Sequence, residues 1–285
     1  MITLEQLLVV LVVVQFDLVN PMDLKIAGKT AIVTGSTAGI GFAIAKTLAE
    51  NGAHVIVNGR SQASVDQAIA KLSERVTPSL LHGCAADLST AEGVKKLINA
   101  HADADILINN LGIFDVVPFA QISDAEWLRF FEVNVMSGVR LSRHYLPLML
   151  KKNWGRIIFI SSESGICPPG DMVHYGMTKT AQLSVSRGLA EVAAGTGVTV
   201  NSVLPGPTKT EGAANFFASM AKDQGITIEE MERKFFAEGR PTSLLKRFVS
   251  PEEVASMVAF ISSPLSAGTT GAALHVDGGV VRSIV

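Results

Sequence analysis

Cysteine is scarce in this chain, which has only Cys84 and Cys167. That number excludes a disulfide framework and a clustered metal site. Both thiols are expected as small buried hydrophobes in a reducing cytosol. Charge of one sign is missing as well: 24 Lys and Arg face 26 Asp and Glu, for a formal net charge of −2. With no basic run, the chain lacks the electrostatic footprint of a nucleic-acid binder. It also lacks internal repeats and low-complexity linkers. Long hydrophobic runs are absent too. Leu7–Val14 is an unbroken apolar stretch, but as a helix it spans about 12 Å against a hydrocarbon core of about 30 Å. Extending it to residues 4–19 takes in Glu5 and Asp17, and an Asp at mid-membrane costs roughly 2.5–3.5 kcal/mol. No Lys or Arg precedes Lys25, so the positive region of a signal peptide is missing. No membrane span is expected, and the location is expected to be cytoplasmic. Residues 1–21 are expected to be a leader or appended segment ahead of Met22, or else a β-rich arm packed on a neighbouring subunit.

The 285 residues, 48% hydrophobic and 18% charged, suit a single α/β domain over residues 22–285 with ample material for one core. The stretch that organises it is Thr34-Gly35-Ser36-Thr37-Ala38-Gly39-Ile40-Gly41. The apolar Thr30–Val33 before it has the composition of a buried strand, and Phe42–Glu50 after it repeats apolar positions at helical spacing. A strand that turns through glycines into a helix aims free N–H groups and the positive dipole end at a ligand above the turn, and phosphate suits such a site. Gly35, Ser36, Thr37, Gly39, Ile40 and Gly41 are therefore candidate cofactor contacts. The Gly-x-x-x-Gly-x-Gly spacing differs from the commoner Gly-x-Gly-x-x-Gly.

Further strand patterns follow at 53–58, 80–86, 104–108, 155–160, 198–203 and 272–276, with helical patterns between them. This alternation predicts a parallel, doubly wound sheet. Past the second strand, dinucleotide folds place an acid where NAD is used. Here Gly59 stands instead and Arg60 follows, a pair suited to a 2′-phosphate. Ser36, Thr37 and Ser61 are placed to add neutral hydrogen bonds. At the third strand's end, Asp87-Leu88 either meets an adenine amino group or caps the next helix. Asn109-Asn110-Leu111-Gly112 closes the fourth strand, where amides either tie strands together or line a cofactor trough. A single helix is expected from Ser123 to about Leu150, with Asn134 among apolar residues that oblige its amide to find partners. Tyr175 and Lys179 are four apart and share a helix face. A cation about 4 Å from the Tyr hydroxyl, at an effective dielectric of 20, is worth about 4 kcal/mol, comparable to a three-unit fall in pKa.

Thr34-Gly35-x-x-x-Gly39-Ile40-Gly41, Asn109-Asn110-x-Gly112, Asn134, Ser162, Tyr175-x-x-x-Lys179 and Pro205-Gly206 together resemble the short-chain dehydrogenase/reductase family. The resemblance runs from Met22 to the C-terminus. It implies a single doubly wound Rossmann-like domain, with a seven-stranded parallel sheet and helices on both faces. It also implies a nicotinamide cofactor and a tetrad: Tyr175 as acid or base, Ser162 orienting the substrate oxygen, Lys179 lowering the Tyr pKa and holding the ribose, and Asn134 keeping a water in a proton relay. Cofactor contacts at Asp87, Leu88, Asn110, Gly112, Pro205, Gly206 and Thr208 follow from it as well. So does a substrate lid at about 206–241, whose Phe216, Phe217, Met220, Met231, Phe235 and Phe236 suit a core or a substrate box equally. Two departures stand out: Leu111 where the family has Ala, and Glu163 directly after Ser162. The expected function is NADP(H)-dependent hydride transfer, preferring NADP(H) over NAD(H), on a small carbonyl or secondary-alcohol substrate. The alternatives are a 3-oxoacyl-[acyl-carrier-protein] reductase, for which the basic set at the mouth (Lys209, Lys222) is sparse, and a non-catalytic NADP sensor. A homodimer or homotetramer is expected through the helices carrying Asn134 and Tyr175, with no metal, nucleic-acid or membrane partner.

Overall fold

Strand patterns that alternate with helices build a sheet whose order folds back on itself. In the computed structural model, which describes residues 22–284, the strands are β1 (Thr30–Val33), β2 (His54–Gly59), β3 (Leu81–Ala85), β4 (Ile106–Asn109), β5 (Gly155–Ile160), β6 (Val198–Pro205) and β7 (Ala273–Val276). Their order is β3-β2-β1-β4-β5-β6-β7, and every pairing is parallel. The direction of winding reverses between β1 and β4, where the carboxyl ends of a parallel sheet open a ligand crevice. The expectations for residues 1–21 lie outside the described residues.

Because side chains alternate across a strand, β1 to β6 each feed two cores. Val33, Val57, Ile108, Ile158 and Val203 face α1 (Gly39–Glu50) and α9 (Pro251–Ser262), whose Ile44, Leu48, Val254 and Val258 complete one cluster. Ile32, Ile56, Leu107, Ile157 and Phe159 face the other side. There α3 (Ala91–Ala100) contributes Leu97, α5 (Ser137–Lys152) contributes Leu141 and Tyr145, and α6 (Val173–Val192) contributes Ala190. The remaining helix beside the sheet is α2 (Gln62–Ser73), with Ser61 as its N-cap.

The single helix expected over 123–150 is interrupted. Ser123 caps α4 (Asp124–Phe131) by accepting from the Glu126 N–H at 3.2 Å, a π-helical turn spans Glu132–Met136, and α5 follows. The turn carries the buried Asn134 and inserts one residue into the helical repeat, which re-aims the side chains on it. Pro147 stays inside α5. Cys84 is buried as expected, but Cys167 is exposed, on the connection from β5 to α6.

Beyond β6 the chain leaves the sheet through α7 (Glu211–Gln224), α8 (Ile228–Lys234) and a second π-helical turn, Phe235–Gly239. This excursion holds its own small core of Phe217, Met231, Phe236 and Phe248.

Candidate active site

The turn between β1 and α1 is shaped by close approach. A Cβ on Gly41 would stand 2.4 Å from the Gly35 carbonyl oxygen and 2.5 Å from Asn110 Nδ2, so only glycine fits. Gly35 and Gly39 adopt positive φ, +59° and +56°. Ala38, the N-cap of α1, offers no capping side chain, and no acid sits in the first turn. The helix thus presents uncapped N–H groups at the sheet's carboxyl edge, a setting that fits a phosphate.

Asn58 pins this turn from β2. Its Oδ1 accepts from the Gly35 N–H at 3.1 Å, and its Nδ2 donates to the carbonyls of Cys84 and Ala86, both at 3.1 Å. Ser36 is fully buried; its hydroxyl donates to the Val33 carbonyl at 2.7 Å and accepts from the Asn58 N–H at 2.9 Å. Ser36 therefore holds the turn and is not placed to bond a 2′-phosphate. Gly59 has a packing reason of its own: a Cβ there would stand 2.6 Å from Thr37 Cγ2 and 3.0 Å from Ser64 Oγ. Arg60 is exposed just beyond β2. Asp87 is exposed beyond β3, with Oδ1 accepting from the N–H and hydroxyl of Ser89 at 3.1 and 2.7 Å. Thr90, rather than Asp87, caps α3. Leu88 is buried in the core, so its side chain is kept from the crevice.

Across β1, Asn110 Nδ2 donates to the carbonyls of Thr34 and Gly35 at 2.8 and 3.0 Å, tying β4 to the glycine turn. Asn134 Oδ1 accepts from the Ile113 N–H at 2.8 Å, and its Nδ2 donates to the Ile113 carbonyl and the Thr178 hydroxyl, both at 3.0 Å. This amide thereby clamps the segment after Gly112 onto α6. A Cβ on Gly112 would lie 3.4 Å from Lys179 Nζ and 3.5 Å from Asn134 Oδ1, which brings these three residues together.

Lys179 is buried, and its ammonium donates to the Ile160 carbonyl at 2.9 Å and Gln182 Oε1 at 3.2 Å. Gln182 Nε2 in turn donates to the Asn134 carbonyl. Desolvation pushes the Lys179 pKa down to about 7. The ammonium lies 5.6 Å from the centre of the Tyr175 ring. The sequence-based expectation of a lowered Tyr175 pKa does not hold in this arrangement. Burial pushes the hydroxyl up, and this outweighs the lowering by its hydrogen bond to Ser162; Glu163 raises it further and Arg240 lowers it. Desolvation of each group, which the spacing of Tyr175 and Lys179 along the helix does not reveal, sets the direction of both shifts.

Ser162 and Glu163 are 6% and 4% exposed. Glu163 Oε2 accepts from the Ser162 hydroxyl and from the N–H and hydroxyl of Ser164 at 2.8 and 3.1 Å. Its Oε1 accepts from Arg240 Nε at 3.0 Å. Ser162, Glu163, Tyr175 and Arg240 line a cavity of about 410 Å³, together with Ile40, Pro205, Gly206 and Thr208 from the carboxyl edge. Phe216, Phe217, Met220 and Phe235 wall it from the excursion, while Met231 and Phe236 lie in that segment's own core. The aromatic stripe therefore serves both as core and as cavity wall.

Sequence reasoning did not single out Asn58, Thr178, Gln182 or Arg240. Gln182, three residues after Lys179 on α6, and Thr178, three after Tyr175, were accessible from helical spacing. The others are joined to the site by contacts distant in sequence.

A parallel sheet with an uncapped glycine turn at its switch point defines a dinucleotide-binding protein. A protein-family profile described as enoyl-(acyl carrier protein) reductase matches residues 35–281. The uncharacterized oxidoreductase YvaG of Bacillus subtilis is 53% identical over 92% of this chain and all of its own length. D-beta-hydroxybutyrate dehydrogenase of Cupriavidus necator is 35% identical over 89% of this chain and 98% of its own. The crystal structure of L-sorbose reductase from Gluconobacter frateurii, complexed with NADPH and L-sorbose, superposes with a TM-score of 0.86 at 31% identity, covering 92% of this chain and all of that one. The chain belongs to the short-chain dehydrogenase/reductase family, NAD(P)-linked oxidoreductases acting on CH–OH and C=O groups.

Proposed function

We propose that this protein is an NADP(H)-preferring reductase of a small carbonyl compound, and in reverse a dehydrogenase of the secondary alcohol, with Tyr175 as its acid and base. The observation that carries the reading is the meeting of Ser162 and Tyr175 on one cavity wall, beside the buried Lys179 and at the mouth of the glycine turn. The uncapped first turn of α1 suits the pyrophosphate, Arg60 a 2′-phosphate, and Lys179 with Gly112 the ribose end. A nicotinamide cofactor held by these residues would supply the hydride chemistry at the carbonyl or alcohol carbon. Tyr175 gives its phenolic proton to the carbonyl oxygen in reduction and takes it back in oxidation. A raised Tyr pKa keeps that proton in place as a general acid near neutrality. Ser162 swings its single proton from Glu163 to the substrate oxygen, leaving Glu163 satisfied by Ser164 and Arg240. Asn134 and Gln182 hold Lys179 and the Gly112 segment in register. Residues 206–241 form the lid that shuts out water. Lys209 pairs with Glu232 at 3.0 Å, which reduces further the basic set that an acyl-carrier partner needs.

Tyr175→Phe keeps the ring and removes the proton. Its kcat is expected to fall by about 10²–10⁴-fold while NADPH, followed by fluorescence titration, still binds. Near-normal turnover in this variant would overturn the assignment.

A further inference from the structure

We propose that the substrate carries a hydroxyl group one or two carbons from the reacting carbon, read by Glu163 and Arg240, on an otherwise apolar and uncharged body. This deepens the reading of the cavity as the substrate site of a carbonyl reductase and rests on it. A buried ion pair adds little net stability, and here one is set into the wall of a mainly apolar cavity, directly beside Ser162.

The donors and acceptors of that pair are unequally used. Oε2 of Glu163 takes three hydrogen bonds, from Ser162 and twice from Ser164, whereas Oε1 takes one, from Arg240 Nε. Arg240 Nη1 donates to the Gly239 carbonyl at 2.8 Å, and Nη2 has no partner among the described residues. The pair therefore keeps one acceptor oxygen and one donor nitrogen with capacity to spare, on side chains that both line this cavity. A hydroxyl accepts and donates at once and matches both. A carboxylate or phosphate only accepts and meets the Glu163 charge. An ammonium only donates and meets Arg240. Within the pair the charges offset one another, and Asp171, the other carboxylate on this cavity, is exposed, so an anionic ligand finds no net attraction. Glu163 adjoins the serine that contacts the reacting oxygen, which limits the hydroxyl to the next carbon or the one after. Phe114, Val116, Phe216 and Phe235 receive the apolar body.

The test compares 2-hydroxyacetophenone with propiophenone, which has a methyl group in place of the hydroxyl. The two ketones are assayed for NADPH-dependent reduction and for equilibrium binding by calorimetry. A hydrogen bond to a charged group is worth roughly 10- to 100-fold, so the hydroxyketone is expected to lead by that factor in kcat/KM, chiefly through KM, and in affinity. Glu163→Gln places its amide NH₂ where Oε1 stood, because the Oε2 position faces the Ser164 N–H, and so removes the acceptor. Arg240→Lys keeps a charge opposite Glu163 but replaces the planar fork with a compact ammonium, which moves the second donor from its place beside Oε1. Both variants are expected to bring the ratio towards one. A wild-type ratio near or below one, or a ratio unmoved in both variants, overturns this inference while leaving the reductase reading intact. Failure to reduce either ketone would instead count against the reductase reading, and the binding ratio alone then decides whether Glu163 and Arg240 read a hydroxyl.

Discussion

At the scale of single residues, Lys179 carries a charge that its surroundings disfavour. An ordinary lysine titrates near 10.4, and this one is pushed down to about 7 by desolvation. Between these values the unfolded chain binds a proton that the folded chain lacks, so this site's contribution to stability rises with pH and its penalty is largest below pH 7. Relative to a Lys179→Met variant, the wild type is expected to gain stability from pH 7 to pH 10. Urea midpoints at the two pH values read the change, and a constant difference would contradict it. Arg60 is exposed just beyond β2, and its proposed role is to hold a 2′-phosphate. A charge-assisted bond contributes roughly 1.5–3 kcal/mol, so Arg60→Ala is expected to lower the NADPH-over-NADH ratio of kcat/KM by about 10- to 100-fold. A wild type that prefers NADH would refute the proposed cofactor choice. The contribution of Ser36 is different from the one expected: it is enclosed and bonded to the backbone, which leaves Arg60, Thr37 and Ser61 as the candidates for the proposed phosphate contact.

At the scale of elements, the β1–α1 turn depends on a contact no larger than a methyl group. A Cβ on Gly41 meets the Gly35 carbonyl and the Asn110 amide together, and neither gives way without disturbing the strand or the β4 connection. Gly41→Ala is expected to destabilise the fold by about 1–3 kcal/mol and to weaken NADPH binding, as read by thermal unfolding and by titration. Unchanged affinity would show that the turn does not hold the phosphate. The helix through Asn134 makes a related point. The apolar spacing over 123–150 was legible as helical, but the π-helical turn at Glu132–Met136 left no mark in that pattern. Its carbonyl at Asn134 bonds Gln182, 48 residues away in sequence, a contact with α6 that local spacing does not encode.

At the scale of the whole molecule, the sheet and its two flanking cores form one body, and the excursion through α7 and α8 rests on a separate core of a few aromatic side chains. Regions with fewer buried apolar contacts open at lower free energy. Amides of residues 211–239 are therefore expected to exchange faster than those of β1, β4 and β5 in native-state hydrogen exchange. Equal protection would argue against a lid that moves. The sequence by itself determined the strand and helix alternation, the glycine turn, and the spacing of Ser162, Tyr175 and Lys179, because these depend on side-chain periodicity and on neighbours within a few residues. Only the tertiary structure decided how these groups are charged and what they touch. Enclosure in a low dielectric reversed the expected effect on Tyr175 and shifted Lys179 instead. The Glu163–Arg240 pair spans 77 residues, and it exists because the chain beyond β6 folds back over the carboxyl edge, a return that no local pattern encodes.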